Sequence, residues 1–325
     1  MRLVLRNLGF YLIAFWASVT LNFLLPRFMP GDPVSRMFAQ AQGTMQPDQI
    51  TQLQKLFGLD DRPLWRQYVD YLHSVATGDL GISISRFPTP VSEVIGSQIG
   101  WTLLLGVTAL IVAAVVGNLL GIVAAWRRGG ILDSAFPPLL IFVGSFPYFW
   151  LAMGALYLFG VTLGWFPLRH AYDVGLVPGF DAEFLGNAAT HLVLPALTIV
   201  VVSVGGWMLG MRNTMISTAA EDYITMAEAK GLSPSRIMFR YAARNAMLPS
   251  VTNFGMALGF MVGGALLTEV VFAYPGIGYQ LLASVQALDY PLMQGIFLTI
   301  TAAVLLANFV VDLVHVRLDP RVRVR

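Results

Sequence analysis

Six stretches of 20 or more residues without a single Asp, Glu, Lys or Arg dominate this 325-residue sequence. A helix that crosses a bilayer needs about 20 mostly apolar residues, so each stretch is long enough to span one. Only 12% of the residues are charged and the mean hydropathy is +0.68, whereas a soluble domain has about 25% charged residues. The sequence therefore predicts an all-α membrane protein with six transmembrane helices, at 7–26, 94–126, 134–168, 184–211, 245–268 and 290–311.

Two stretches need a separate interpretation. Residues 270–288 are also uncharged, but Pro275, Gly276 and Gly278 interrupt them, so a re-entrant or interfacial segment that packs on protein is expected. Arg2 and Arg6 before an apolar run would also suit a cleaved signal peptide. The long apolar run, the lack of a good small-residue cleavage site and the five spans that follow favour a retained first span.

The distribution of Lys and Arg predicts the orientation. With the N-terminus inside, 13 basic residues lie on inner segments and 7 on outer ones, and six of those 7 fall in the long outer loop 27–93, which carries little weight. Both termini are therefore expected in the cytoplasm, and the net charge of +2 reflects membrane topology, with no nucleic acid as a partner. The expected regions are 1–93 (first span and outer loop), 94–315 (a five-helix core) and 316–325 (a basic tail).

The outer loop has its own helical pattern. Apolar residues at helical spacing predict amphipathic helices in PDQITQLQKLFG (47–58) and in RPLWRQYVDYLHSVATG (62–78), each ended by a glycine. These helices either form a lid that packs on the chain's own spans or meet a partner. Small-residue spacing at Gly117 and Gly121, and at 255, 259 and 263, predicts close helix packing, within this chain or against another.

Motifs typical of catalysis are missing from the sequence. It has no GxxxxGK[ST], GxSxG or HExxH motif and no cysteine, and its four histidines are scattered, so neither catalytic residues nor a metal site are predicted. Ionisable residues are almost absent from the spans, which argues against a self-powered carrier, although a self-sufficient secondary carrier or channel remains the alternative class. Candidate residues for a solute path or gate are Asn118, Asn308, Phe146 and Tyr148, and Pro147 should kink its helix.

Residues 213–245, which we call the inner loop, concentrate the charge. Thr218 and Glu221 have the spacing of a capping box, which predicts a helix from Thr218 to Lys230 that ends at a left-handed Gly231. Ser233 and Pro234 have the pattern of a helix start, and the second helix should run into the fifth span. Three arginines at four-residue spacing form a basic stripe on it: Arg236, Arg240 and Arg244.

This helix–turn–helix has three possible uses. Binding DNA is a poor explanation, because membrane spans anchor both ends of the loop. A loop that faces phospholipid is the simplest explanation. A docking surface for a cytoplasmic partner best suits the small residues at the tip.

The inner loop resembles the EAA loop of ABC-importer permeases, in the version of the dipeptide/oligopeptide/nickel permease family. Gly231 matches the central glycine of that motif and Ala227 one of its alanines, while Thr225 and Met226 stand where the general motif has Glu and Ala. The resemblance extends over nearly the whole chain through a series of similar segments: MPGDP, GLDDRPLWRQY, GDLGISI, HLVLPALT, EDYITMAEAKGLS, ARNAMLP, TEVVFAYPGIGYQLL, DYPLMQG and LDPRVR.

The resemblance implies a type I ABC importer permease fold in a bacterial or archaeal inner membrane. The chain would form half of a pore with a second, different permease subunit, while two cytoplasmic ATPases bind ATP and Mg²⁺ and an extracytoplasmic protein delivers solute, most often short peptides, alternatively oligosaccharides or nickel. The chain itself would not be an enzyme and would hold no cofactor. Contacts with the ATPase are expected at Ala227, Glu228, Lys230, Gly231, Leu232, Ser233, Pro234 and Ser235.

Overall fold

The computed structural model describes residues 2–29 and 62–318, and within them every regular element is a helix. The first helices are α1 (Arg2–Phe28), α2 (Leu64–Thr77), α3 (Val91–Trp126), α4 (Ile131–Ser134), α5 (Phe136–Gly144), α6 (Tyr148–Ala155) and a π-helix (Leu156–Thr162). They are followed by α7 (Ala182–Ala219), α8 (Asp222–Ala229), α9 (Pro234–Arg236), a second π-helix (Ile237–Ala243), α10 (Arg244–Gly264), α11 (Leu266–Val271), α12 (Ile277–Ala287) and α13 (Tyr290–Leu318).

The predicted membrane class is confirmed. Four helices of the described chain are long and apolar enough to cross a membrane, and a bent pair, Ile131–Gly144 with Tyr148–Thr162, makes up to five. Helix α10 is 21 residues long and occupies most of the predicted fifth span, but it is not among those candidates, so the count of six stays a prediction. Segment 270–288 holds α12, whose 11 residues are too few to cross a bilayer.

Pro147 does more than kink its helix. Helix α5 ends at Gly144, α6 begins at Tyr148, and the two segments meet at an angle of 93°. Proline lacks the N–H that a continuous helix needs and disfavours helical backbone at the residue before it, so the helix breaks at Phe146. The predicted kink at Pro147 is confirmed, and it is a complete break between two helices.

The described residues form two compact units, one of which combines Met1–Thr102 with Pro275–Phe309. In this unit the outer helix α2 packs on α1. The hydroxyl groups of Tyr68 and Thr20 lie 2.7 Å apart, Asn22 Nδ2 donates to the Tyr71 hydroxyl at 3.0 Å, and the Phe23 ring lies 5.1 Å from that of Tyr68. This confirms that the second predicted outer helix packs on the chain's own first span. The first, at 47–58, lies outside the described residues.

Burial raises the pKa of Tyr71. Its phenol therefore stays neutral across the physiological range and accepts the hydrogen bond of Asn22.

A buried carboxylate joins two distant segments of the same unit. Asp289, which begins DYPLMQG, is fully buried and its Oδ2 accepts from Ser83 Oγ at 2.5 Å, Ser85 N at 2.8 Å and Ser85 Oγ at 2.7 Å. Its Oδ1 accepts from Leu292 N at 3.1 Å, at the start of α13. Four donors satisfy the carboxylate, so its burial carries little desolvation penalty. The two segments GDLGISI and DYPLMQG are thus one structural feature.

The second unit combines Leu103–Tyr274 with Val310–Arg325. Here α3 and α7 touch backbone to backbone. A Cβ placed on Gly121 would lie 2.5 Å from the Met208 carbonyl oxygen, and one on Gly117 would lie 2.5 Å from Trp207 Cβ. The pair of glycines therefore serves packing within this chain, one of the two predicted alternatives.

Candidate functional site

The first helix of the inner loop begins later than the sequence predicted. Helix α7 continues through Thr218 to Ala219, and the next helix starts at Asp222 with Glu221 as its N-cap and no side-chain capping bond. The predicted capping box is therefore wrong. Thr218 is part of the preceding helix, where its carbonyl oxygen accepts from the backbone N–H of Glu221 at 3.2 Å.

The glycine turn is as predicted. Gly231 has φ +71°, and its N–H donates to the Glu228 carbonyl at 2.8 Å. The N–H of Leu232 donates to the Ala227 carbonyl at 3.3 Å. These two bonds form a Schellman motif, which satisfies the last carbonyl groups of α8 and reverses the chain in the space of two residues. A Cβ on Gly231 would meet no atom within 4 Å, so the backbone angle alone favours glycine here.

The second helix of the loop also starts as predicted. Ser233 is its N-cap with extended backbone and Pro234 follows in the first turn, although the Ser233 side chain makes no capping bond. The helix runs on through the π-helix Ile237–Ala243 directly into α10. The tip is therefore joined to α10 without an intervening loop.

Apolar contacts fix the loop to the membrane helices. Ile224, Ala227 and Ile237 are buried in one cluster with Ile122 of α3 and with residues of α7 and α10, namely Met211, Met215 and Ala246. Asn245 Nδ2 also donates to the Tyr223 hydroxyl at 2.9 Å, which links α10 to α8. A close-packed cluster of this kind has low compressibility and transmits strain.

The predicted contact residues divide into two groups. Ala227 is buried and Leu232 packs partly against the same cluster, so these two hold the turn in place. The remaining six are exposed and form an open tip: Glu228, Lys230, Gly231, Ser233, Pro234 and Ser235. The three arginines of the basic stripe are exposed as well.

One ion pair near the loop escaped prediction. Arg212 Nε and Nη2 both lie 2.6 Å from Asp133 Oδ1, and Asp133 Oδ2 accepts from Gly129 N at 2.9 Å. This pair joins α7 to α4, and the bond from Gly129 ties Asp133 to the turn before α4. The 79 residues between the partners leave no local pattern from which to infer it.

The predicted path residues have different surroundings in the structure. Asn118 is buried and its Oδ1 accepts from Ser250 Oγ at 2.8 Å, in the contact between α3 and α10. Phe146 is partly exposed beside Phe142, with 5.2 Å between ring centroids, and Tyr148 and Asn308 are half-buried. Within the described residues no group of three His, Cys, Asp or Glu side chains is placed to hold a metal ion.

Taken together, the fold and the loop define a class: a multi-pass helical membrane protein with a rigid, exposed helix–turn–helix at the end of its spans. The chain belongs to the family described as "Binding-protein-dependent transport system inner membrane component", which matches residues 117–324. It is accordingly a permease component of an ABC importer in the bacterial inner membrane, with ATP hydrolysis in partner subunits.

Relatives extend the match over the whole length. The di/tripeptide transport system permease protein of Pseudomonas aeruginosa (strain UCBPP-PA14) is 35% identical over 334 residues, covering 98% of each chain. The dipeptide transport system permease protein of Escherichia coli (strain K12) is 35% identical over 340 residues, covering 99% of each chain. The similarity thus includes the outer loop and the first span as well as the region that the family description covers.

Proposed function

We propose that this chain forms half of the pore of an ATP-driven importer of short peptides. Relatives that carry peptide-permease names match it from end to end, at 35% identity. The proposed partners are a second, different permease subunit, two cytoplasmic ATPases that bind ATP and Mg²⁺, and an extracytoplasmic peptide-binding protein. Membrane lipid surrounds the pore.

The proposed arrangement in the membrane is the six-span, type I importer fold with both termini in the cytoplasm. Residues 1–93 contribute the first span and an extracytoplasmic helical loop, 94–315 the pore-forming core, and 316–325 a basic tail. The excess of Lys and Arg on the short inner segments supports this orientation. It places the inner loop on the side where the ATPases bind.

The observation that carries the proposal is the geometry of the inner loop. The tip, residues 228–235, is exposed except for Leu232 and is seated on a buried cluster that also contains residues of α3, α7 and α10. In the proposed mechanism ATP binding draws the two ATPases together and each ATPase moves the tip that it holds. Because the tip and the helix ends form one packed body, the motion passes to the spans as a rigid-body shift.

A bulky side chain at the tip tests this function. Gly231→Trp should reduce ATP-driven dipeptide uptake to background in proteoliposomes that hold the complete importer, because an indole would occupy the space that the ATPase fills. The chain should still insert, since a Cβ at this position meets no atom of the chain. Gly231→Asn, which tolerates the left-handed backbone, is the matched control and should retain most uptake.

Two results would contradict the proposal. Normal uptake by Gly231→Trp would exclude the tip from ATPase docking. Robust uptake by the chain reconstituted alone, without ATPases, would instead identify a self-sufficient carrier or channel. Uptake of nickel or an oligosaccharide with no uptake of dipeptide would keep the importer and replace its substrate.

A further inference from the structure

A groove runs between α7 and α10 in the second unit, and residues of α3 close one end of it. It consists of a cavity of about 390 Å³ and one of about 290 Å³, and both are lined by Ser203 and Trp207. The lining residues of α7 recur every three or four positions from Ile199 to Thr214, so they share one face of the helix. At 1.5 Å per residue this face is about 22 Å long, most of the roughly 30 Å of a bilayer's hydrocarbon core.

The two cavities differ in chemistry. In the larger one Ser203 is the only polar residue among those that line it. The smaller one, nearer the inner loop, is lined by Ser203, Thr214, Ser250 and Asn253 together with exposed backbone at Gly206 and Gly210. The groove therefore becomes more polar toward the inner loop, and Trp207 and Ser203 line both cavities.

Two of the polar groups have their hydrogen bonds within the chain. Thr214 donates to the Gly210 carbonyl at 2.9 Å and Ser250 to Asn118 at 2.8 Å. The side chains of Ser203 and Asn253 make no hydrogen bond to any described residue, and Asn253 is exposed. The amide of Asn253 and the hydroxyl of Ser203 each carry both donors and acceptors, and these are available to whatever fills the groove.

Lipid is a poor occupant for this surface. An amide that faces hydrocarbon without a partner costs several kcal/mol, and the exposed glycine backbone adds to the polar surface. Water and a polar solute satisfy these groups. A peptide carries one N–H and one C=O per residue and must exchange hydrogen bonds with water for others as it crosses.

We propose that this groove is a stretch of the peptide path, in which Asn253 and Ser203 offer hydrogen bonds to the peptide's amide groups and Trp207 narrows the passage between the two cavities. The assignment rests on the proposed function. Two polar side chains suit passage better than retention, because a path must release what it binds. None of the earlier candidates Phe146, Tyr148 and Asn308 lines either cavity. The groove is therefore the first place where solute contacts are expected.

The absence of cysteine from the chain makes a direct test simple. Single variants Ser203→Cys and Asn253→Cys are prepared in the complete importer and treated with a negatively charged, membrane-impermeant methanethiosulfonate. Val251→Cys is the matched control, since Val251 is 59% exposed and lies two residues from Asn253, about 200° around α10. Labelling of this chain is measured in nanodiscs, which admit reagent from both sides, and ATP-driven dipeptide uptake in proteoliposomes.

We expect Ser203→Cys and Asn253→Cys to react about tenfold faster or more than Val251→Cys, because the reacting thiolate forms in water and not in hydrocarbon. Modification should abolish uptake in the two groove variants and leave it unchanged in the control. Ser203→Cys is nearly isosteric, so it keeps the test valid if Asn253→Cys assembles poorly.

Slow labelling of both groove variants, equal to that of Val251→Cys, would overturn the inference, because lipid or the second permease subunit would then cover the groove. Fast labelling without loss of uptake would overturn it too, since the groove would be wet but off the path. If the complex without cysteine substitutions takes up no dipeptide, both the proposed function and this inference are wrong. If that complex takes up dipeptide but the groove variants label slowly, only this inference is wrong.

Discussion

Asp289 shows at the residue scale how a single side chain holds two distant segments together. It accepts four hydrogen bonds, from Ser83, Ser85 and Leu292, and none of its surface is exposed. Buried charges are tolerated where their hydrogen bonds are complete, and they become costly when one partner is removed. The residue is therefore more sensitive to substitution than its place outside the spans would indicate.

Asp289→Asn should destabilise the protein by about 1–3 kcal/mol. The amide has one acceptor oxygen and one NH₂ group, so in either orientation a donor faces a donor, at the two serines or at Leu292. Thermal unfolding of the purified complex should show a lower midpoint. Asp70→Asn is the control, because its ion pair with Arg62 is about half exposed on both sides and should contribute about 0–1 kcal/mol. Equal midpoints for the two variants would contradict the role of Asp289.

At the scale of the helices, the contact between α3 and α7 depends on the absence of side chains. Gly121 and Gly117 let the backbone of α7 approach so closely that a methyl group would collide with a carbonyl oxygen or a Cβ atom. Such a neighbour cannot rotate away, unlike the end of a flexible side chain. The two helices must therefore separate if either glycine gains a side chain.

Gly121→Ala should cost about 1–3 kcal/mol through this overpacking. Gly100→Ala on the same helix is the matched control, since a Cβ there meets no atom within 4 Å; it should be neutral or stabilising by about 0.5–1 kcal/mol, because alanine favours helix more than glycine does. Unfolding midpoints of the two variants measure the difference. A loss in Gly100→Ala as large as that in Gly121→Ala would show that the cost does not arise from the contact between α3 and α7.

The inner loop and the long-range contacts of the chain show what sequence patterns can and cannot predict. The glycine turn of the inner loop was predictable because its signals, Gly231 followed by Ser233 and Pro234, are local and act through backbone angles. The start of α8 was not, because the hydrogen-bond ladder of α7 continues through Thr218 and overrides the capping box. Asp289 with Ser83, and Arg212 with Asp133, are 206 and 79 residues apart, so only the folded chain brings them together. The groove lined by Ser203 and Asn253 likewise requires two helices to face each other.

At the scale of the whole molecule, the 93° bend between α5 and α6 decides the topology. If the segment 131–162 crosses the membrane, the turn before it and the loop after it lie on opposite sides. If it re-enters, they lie on the same side, and every later span reverses. The excess of 13 basic residues over 7 favours the crossing, which gives six spans and both termini in the cytoplasm.

Single cysteines introduced into this chain, which has none of its own, test the topology in intact cells. We expect a membrane-impermeant maleimide to label Thr77→Cys and Val174→Cys from outside, and to reach Arg128→Cys and Lys230→Cys only after the inner membrane is permeabilised. All four positions are exposed, and Val174 is 91% exposed. A failure to label from outside therefore cannot be attributed to burial of the residue. The unaltered chain is the control for background labelling.

If Val174→Cys and Arg128→Cys become accessible together, the bent pair is a re-entrant segment and the six-span arrangement is wrong. If Lys230→Cys reacts from outside, the inner loop cannot contact cytoplasmic ATPases and the proposed function fails at its central contact.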